Sequence, residues 1–233
     1  MKFAWQLAAL RYEIRVLGIW LFGISLFASV GFALLAKFLQ IGHVDPSFIN
    51  NVLLAGLEAC LPLATGIIAT TVATQDLAIE LQLTLSMPYR ITTFCRLALI
   101  MVWTALIALL STLALHIALP SMLPLSLVQE QLVWSAPLLW FAAIGTILGL
   151  LMRSRSSSSA VLGCLWVMQL AFHGYFLATS WMRPWFLFTT IYALGTSFWL
   201  TNRIELIVTA LVVLIATWWY LRNSEWRFFG EDA

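Results

Sequence analysis

The feature that most limits how this chain can fold is a succession of apolar runs, each about as long as a bilayer crossing and almost free of charge. A transmembrane helix needs about 20 consecutive apolar residues. The runs predict spans over Val16–Ala36, Val52–Val72, Thr93–Leu119, Val133–Met152, Ala160–Thr179 and Ile204–Leu221. Apolar residues make up 62% of the chain and charged residues 9%. Soluble domains carry about 25% charged residues, so the expected class is an all-α, polytopic membrane protein with six transmembrane helices.

Two segments are amphipathic instead. Over residues 1–15, Phe3, Leu7, Leu10 and Ile14 recur at helical spacing, with Lys2, Gln6 and Glu13 on a flank, which predicts a helix lying in the membrane interface. Arg11, Glu13 and Arg15 interrupt what would be a signal peptide's apolar core, so this end is expected to stay attached. The remaining membrane domain, 16–233, contains the second amphipathic stretch at 74–90, where Leu77, Leu81 and Leu85 share a face beside Asp76, Glu80 and Arg90. It predicts a surface helix, not a crossing.

Residues 181–203 are apolar but broken by Pro184 and by Gly195, Thr196 and Ser197. The segment either crosses, giving seven spans, or dips in and returns as an external re-entrant helical hairpin before the last span. Cations concentrate on the cytoplasmic side of membrane proteins. Six spans put Lys2, Arg11, Arg15, Arg90, Arg96, Arg153, Arg155, Arg222 and Arg227 inside, against Lys37, Arg183 and Arg203 outside. That imbalance favours the hairpin, with both termini cytoplasmic. Trp134, Trp181, Trp185 and Trp199 are expected to anchor one interface, and Trp5, Trp218, Trp219 and Trp226 the other.

Several functions are disfavoured. A net charge of +2 without a basic patch speaks against a nucleic-acid partner. Cys60, Cys95 and Cys164 lie in apolar runs without ligand spacing, so no metal site is expected. No HExxH, GxSxG or Ser/Lys pattern marks a hydrolase, and no catalytic residue is assigned. A nucleotide-binding loop needs Gly-Lys before Ser or Thr, whereas Lys2 and Lys37 follow Met1 and Ala36. If ATP drives the protein, the ATPase is another chain.

Polar residues inside the spans are few: Glu58 with Thr65 on the same face of the second, Gln169 with His173 in the fifth, and His116 near the outer end of the third. An ionisable group in hydrocarbon costs about 2.5–3.5 kcal/mol on insertion scales, so Glu58 is expected to face the bundle interior, a cavity or a subunit interface, unless it lies near enough to the outer surface to be wet or is protonated and hydrogen-bonded to a neighbouring helix. In a gradient-driven secondary transporter or channel it would be the ion or proton site.

The stretch ATQDLAIELQLTLSMPYRITTFCRLALIMVW, from Ala73, resembles the permease subunits of type-2 ATP-binding-cassette exporters. Asp76, Glu80, Leu81, Leu83, Leu85 and Pro88 occupy matching places after the second span, while Ala78 and Ile79 stand where a Gly-Thr or Gly-Ser pair is usual. The layout is also similar to that of the haem-exporter permease of cytochrome c maturation. The resemblance implies a non-catalytic, multi-pass subunit of the bacterial cytoplasmic (inner) membrane that exports an amphipathic or hydrophobic compound. No cofactor is expected on the chain itself, with ATP and Mg bound by a partner ATPase. It further implies that Asp76, Glu80, Leu81, Leu83, Pro88 and Arg90 couple to that ATPase. Arg11, Arg15, Arg153 and Arg155 would add docking contacts. A second permease copy, identical or related, would complete a path near Glu58, Thr65, Gln169 and His173.

Overall fold

The computed structural model describes residues 19–74, 89–118 and 126–229, and among the described residues every regular element is a helix. α1 is Ile19–Ile41. α2, Pro46–Ala55, runs through a wider π turn, Gly56–Cys60, into α3, Leu61–Thr74. α4 is Tyr89–Ala118, α5 Leu127–Met152 and α6 Arg155–Ala171. A short α7, His173–Ala178, precedes a 3₁₀ turn, Arg183–Trp185, the short α8, Thr189–Ala193, and the long α9, Trp199–Phe229. The interface helix expected over 1–15 and most of the 74–90 stretch lie outside the described residues.

Among the described residues five segments are long and apolar enough to cross a membrane: Trp20–Ile41, Phe48–Thr74, Arg90–Ala114, Val128–Met152 and Trp199–Arg222. The expected span at Ala160–Thr179 is divided: α6 ends at Phe172, whose backbone (φ −107°, ψ 24°) leaves the helical region, and α7 follows. The last span begins at Trp199 rather than at Ile204, which draws Arg203 into the helix. Residues 181–203 contain no helix of crossing length; the 3₁₀ turn, α8 and the first turn of α9 occupy them.

Local chemistry explains several boundaries. Ser126 and Gln129 form a reciprocal capping box at the start of α5, with Gln129 N donating to Ser126 Oγ at 3.4 Å and Ser126 N to Gln129 Oε1 at 3.1 Å. α5 closes on Arg153 in the left-handed region (φ 49°), its N–H bound to Gly149 O. Ser154 then caps α6 by accepting from Ser157 N at 3.4 Å. The π turn has a similarly local origin. Pro62 has no N–H to offer the Glu58 carbonyl four residues back, and its ring would crowd that carbonyl. Leu61 N instead bonds to Gly56 O, five residues back.

The bundle is assembled on small and weakly polar residues, as expected where lipid gives helices no hydrophobic reason to associate. α3 and α5 run parallel at close range. A Cβ on Gly145 would stand 2.4 Å from Gly66 O, and one on Gly149 2.8 Å from Ala73 Cβ. α1 lies along α4 through Ser25 Oγ and Thr104 Oγ1, 3.2 Å apart, and through Trp103 Nε1, which donates to Phe22 O at 3.0 Å. Its other face, with Trp20, Phe27, Leu34 and Phe38, is exposed. An apolar exterior of this extent suits hydrocarbon and not water.

These contacts sort the helix ends. Thr70 meets Ser159 of α6, Phe94 meets Trp218 of α9, and Gly149 meets Ala73. One end of the bundle therefore gathers the start of α4, the close of α3, the α5–α6 turn and the late turns of α9; with them come Arg90, Arg96, Arg153, Arg155 and Arg222. The opposite end holds Leu54, Val133 and Trp199, packed together with Ile191 of the 179–198 segment.

Candidate functional site

Several polar residues of the apolar bundle converge on the 179–198 segment. Glu58, on the π turn, is completely buried. Its Oε1 accepts from Thr190 N at 2.7 Å and its Oε2 from Ile191 N at 2.9 Å, the second and third residues of α8. Backbone donors of a helix's first turn lack intrahelical acceptors, so the carboxylate caps α8 from a residue 132 positions earlier in sequence.

Arg203, also fully buried, completes the arrangement. Its Nη2 forms a salt bridge with Glu58 Oε1 and donates to Thr190 Oγ1 at 2.7 Å; its Nη1 donates to Leu187 O at 3.0 Å. The guanidinium lies 5.7 Å from the Trp199 ring centroid, and Trp199 Nε1 donates to the same Thr190 hydroxyl at 3.0 Å. A guanidinium suits this place because its planar fork reaches a carboxylate, a hydroxyl and a carbonyl at once. Arg203 Nε, also buried, has no hydrogen-bond partner among the described residues.

Around this pair the 179–198 segment is fastened by three more residues. Gln169 Oε1 accepts from Leu187 N at 2.9 Å. Asn202 Nδ2 donates to Arg183 O at 2.6 Å and Phe186 O at 3.0 Å, and Asn202 Oδ1 accepts from Thr189 Oγ1 at 2.9 Å. His173 stacks on Tyr192 of α8, centroids 4.2 Å apart, while its Nδ1 lies 3.0 Å from Leu170 O. Between these ties Phe186, Leu187 and Phe188 are buried in the largest apolar cluster, with Ala59, Trp140, Phe141 and Leu206. Backbone without helical hydrogen bonds needs other partners when it is buried. The polar side chains supply them.

No protein-family model matches the chain, and no curated protein or solved structure does. Any assignment rests on its own residues.

Of the residues expected on a path, Glu58 and Gln169 bind backbone N–H groups of the 187–191 stretch and His173 stacks against α8. Thr65 is apart from them, buried, with its hydroxyl donating to Leu61 O of its own helix at 3.0 Å. Arg203 is corrected from an outside boundary cation to the buried partner of Glu58, because α9 starts a turn earlier than its apolar run suggests. Asn202 and Trp199 were not expected at the site either; Trp199, expected as an interfacial anchor, is buried. The spacing Trp199, Asn202, Arg203, Leu206, Ala210 follows one face of a helix, and that face extended through the polar residues is the signal.

Among the expected coupling residues, Asp76, Glu80, Leu81, Leu83 and Pro88 lie outside the described residues, as do Arg11 and Arg15. Arg90 is in the first turn of α4, its guanidinium 5.3 Å from the Trp218 ring centroid. Arg153 and Arg155 are exposed at the α5–α6 turn. A second polar pair joins α4 to α5: His116 Nδ1 is 3.1 Å from Glu130 Oε1.

Proposed function

We propose that the chain is the membrane permease of an ATP-binding-cassette exporter, working as a dimer with a separate ATPase. The observation that carries the reading is the gathering of arginines at one end of the bundle. There α3 ends and α4 begins, at the same end as the α5–α6 turn with Arg153 and Arg155; the amphipathic 75–88 sequence, outside the described residues, lies between α3 and α4 in the chain. By the positive-inside rule that end is cytoplasmic, so the helix ends that flank the amphipathic sequence and the exposed Arg153 and Arg155 face the side on which a soluble motor would dock. In this reading α6 and α7 together make the fifth crossing and bring the total to six, which puts both termini in the cytoplasm, and the hairpin turns at the external face.

The hairpin then acts as a fixed outer plug between α7 and α9, held by Glu58 and Arg203. The two chains' second and fifth spans would line a largely apolar path for an amphipathic or hydrophobic compound. The gradient-driven alternative asks Glu58 to exchange a proton or ion with water. Both its oxygens accept backbone N–H groups and one also meets Arg203, with no exposure, which favours the ATP-driven reading.

Charge reversal at Glu80 combined with Pro88→Gly tests the coupling role. The expected result is a variant that inserts and expresses normally yet loses substrate stimulation of the partner ATPase. Unchanged stimulation would count against this function for the segment.

A further inference from the structure

We infer that the break between α6 and α7 lines a water-filled vestibule open to the external side. The inference deepens the proposed function and rests on its reading that α6 and α7 together cross the bilayer. α6 closes with Phe172 N on Met168 O at 2.9 Å, and α7 opens with Tyr175 N and Phe176 N both on Phe172 O, at 3.0 and 3.2 Å. The helical ladder is cut between them: Gln169 O loses the N–H of His173, and Ala171 O loses that of Tyr175. No side chain caps the start of α7. His173 Nδ1, 3.0 Å from Leu170 O, repairs only part of the cut.

The cut lies on the surface of the bundle. Ala171, Phe172, Gly174 and Tyr175 are exposed, and a Cβ on Gly174 would meet nothing within 4 Å. From Arg155 to Phe172 α6 rises about 25 Å at 1.5 Å per residue, less than the about 30 Å of hydrocarbon it has to cross. Tyr192 gives the same level: it stacks on His173 and adjoins Ile191, a partner of Glu58 inside the crossing segment Phe48–Thr74. Lipid tails offer no hydrogen bonds, so an exposed interruption at this depth needs water beside it. Intact helices need none, and the exposed faces of α4 and α9 carry Leu106 and Val208 at a similar distance from their cytoplasmic ends. Tyr175 and Tyr192, both exposed, add hydroxyls that suit water and rings that suit an apolar guest. Such a wall matches an amphipathic compound on its way out.

The test is thiol labelling of the full-length chain, freed of its own cysteines by Cys60→Ala, Cys95→Ala and Cys164→Ala, in intact cells and in inverted vesicles. The probe is a charged methanethiosulfonate that does not cross the membrane and attacks the thiolate, a form that hydrocarbon suppresses. Gly174→Cys and Tyr175→Cys should therefore react from the external side at least about tenfold faster than Leu106→Cys and Val208→Cys. Ser157→Cys should react only from the cytoplasmic side and Ser180→Cys only from the external side. If those two behave so while Gly174→Cys and Tyr175→Cys are as slow as the lipid-facing pair, the vestibule is overturned and the crossing stands. Reaction of Ser157→Cys and Ser180→Cys from the same side overturns the crossing and the vestibule with it. Reaction of Gly174→Cys and Tyr175→Cys from the cytoplasmic side alone puts the opening on the wrong face and also overturns the inference.

Discussion

Replacing Glu58 by Gln keeps the shape of the side chain but removes its charge and half its acceptors, and the surrounding contacts set the cost. Arg203 is left buried beside a neutral partner, and breaking one side of a buried ion pair costs about 3–5 kcal/mol. The carboxylate holds Thr190 N and Ile191 N on different oxygens; the amide can accept only one, and an orphaned buried donor adds about 1–3 kcal/mol. The single variant should therefore lose about 4–8 kcal/mol, and Arg203→Met, which strands the carboxylate, about 3–5 kcal/mol.

The double variant removes both charges, and the amide nitrogen gains Thr190 Oγ1 or Leu187 O as an acceptor. Only the unpaired N–H remains, so the loss falls to about 1–3 kcal/mol, less than for either single change. Reversible unfolding in mild detergent measures all three. Proteolysis between Phe186 and Tyr192 reports whether the hairpin detaches first. Additive losses in the double variant, or a Glu58→Gln protein as stable as wild type, would refute the assignment of this pair as the fastening of the hairpin.

Two further outcomes arise from the backbone. Gly145→Ala should push α3 from α5 and lose about 1–3 kcal/mol by overpacking, since its Cβ would stand 2.4 Å from Gly66 O; Gly163→Ala, which meets nothing within 4 Å, should be neutral or stabilising in the same unfolding assay. Arg153→Gly should raise stability by about 1 kcal/mol, because arginine sits there in left-handed backbone (φ 49°) that glycine adopts without strain. A destabilised Arg153→Gly protein would mean that the arginine side chain, and not the turn, holds that corner.

Much of the fold was legible because a bilayer makes one demand, long uncharged helices, and the residues state it directly: α1, α4 and α5 lie within a few positions of their expected runs. The divided α6–α7 segment was less legible, since nothing in the local composition around Phe172 marks a break. Glu58, Gln169 and His173 stand out in sequence for a sound reason, polarity inside an apolar run. Polarity alone does not say whether such a group serves a passing ligand or the chain's own backbone, and Glu58 and Gln169 bind backbone N–H groups at Leu187, Thr190 and Ile191. Arg203 was misplaced because it precedes an apolar stretch and so resembles a boundary cation. A buried acid calls for a buried cation, and Arg203 was the cation one helical turn beyond Trp199 that met the need. The π turn under Glu58 follows from Pro62, a local signal that only the helix geometry makes readable.

The transporter reading is tested most directly by isolating the full-length protein from its native membrane in mild detergent and identifying the soluble chains that accompany it. A stoichiometric nucleotide-binding subunit, retained by the wild-type protein and lost on charge reversal at Glu80, is the predicted result. A protein that comes away alone and transports in vesicles without ATP would contradict it.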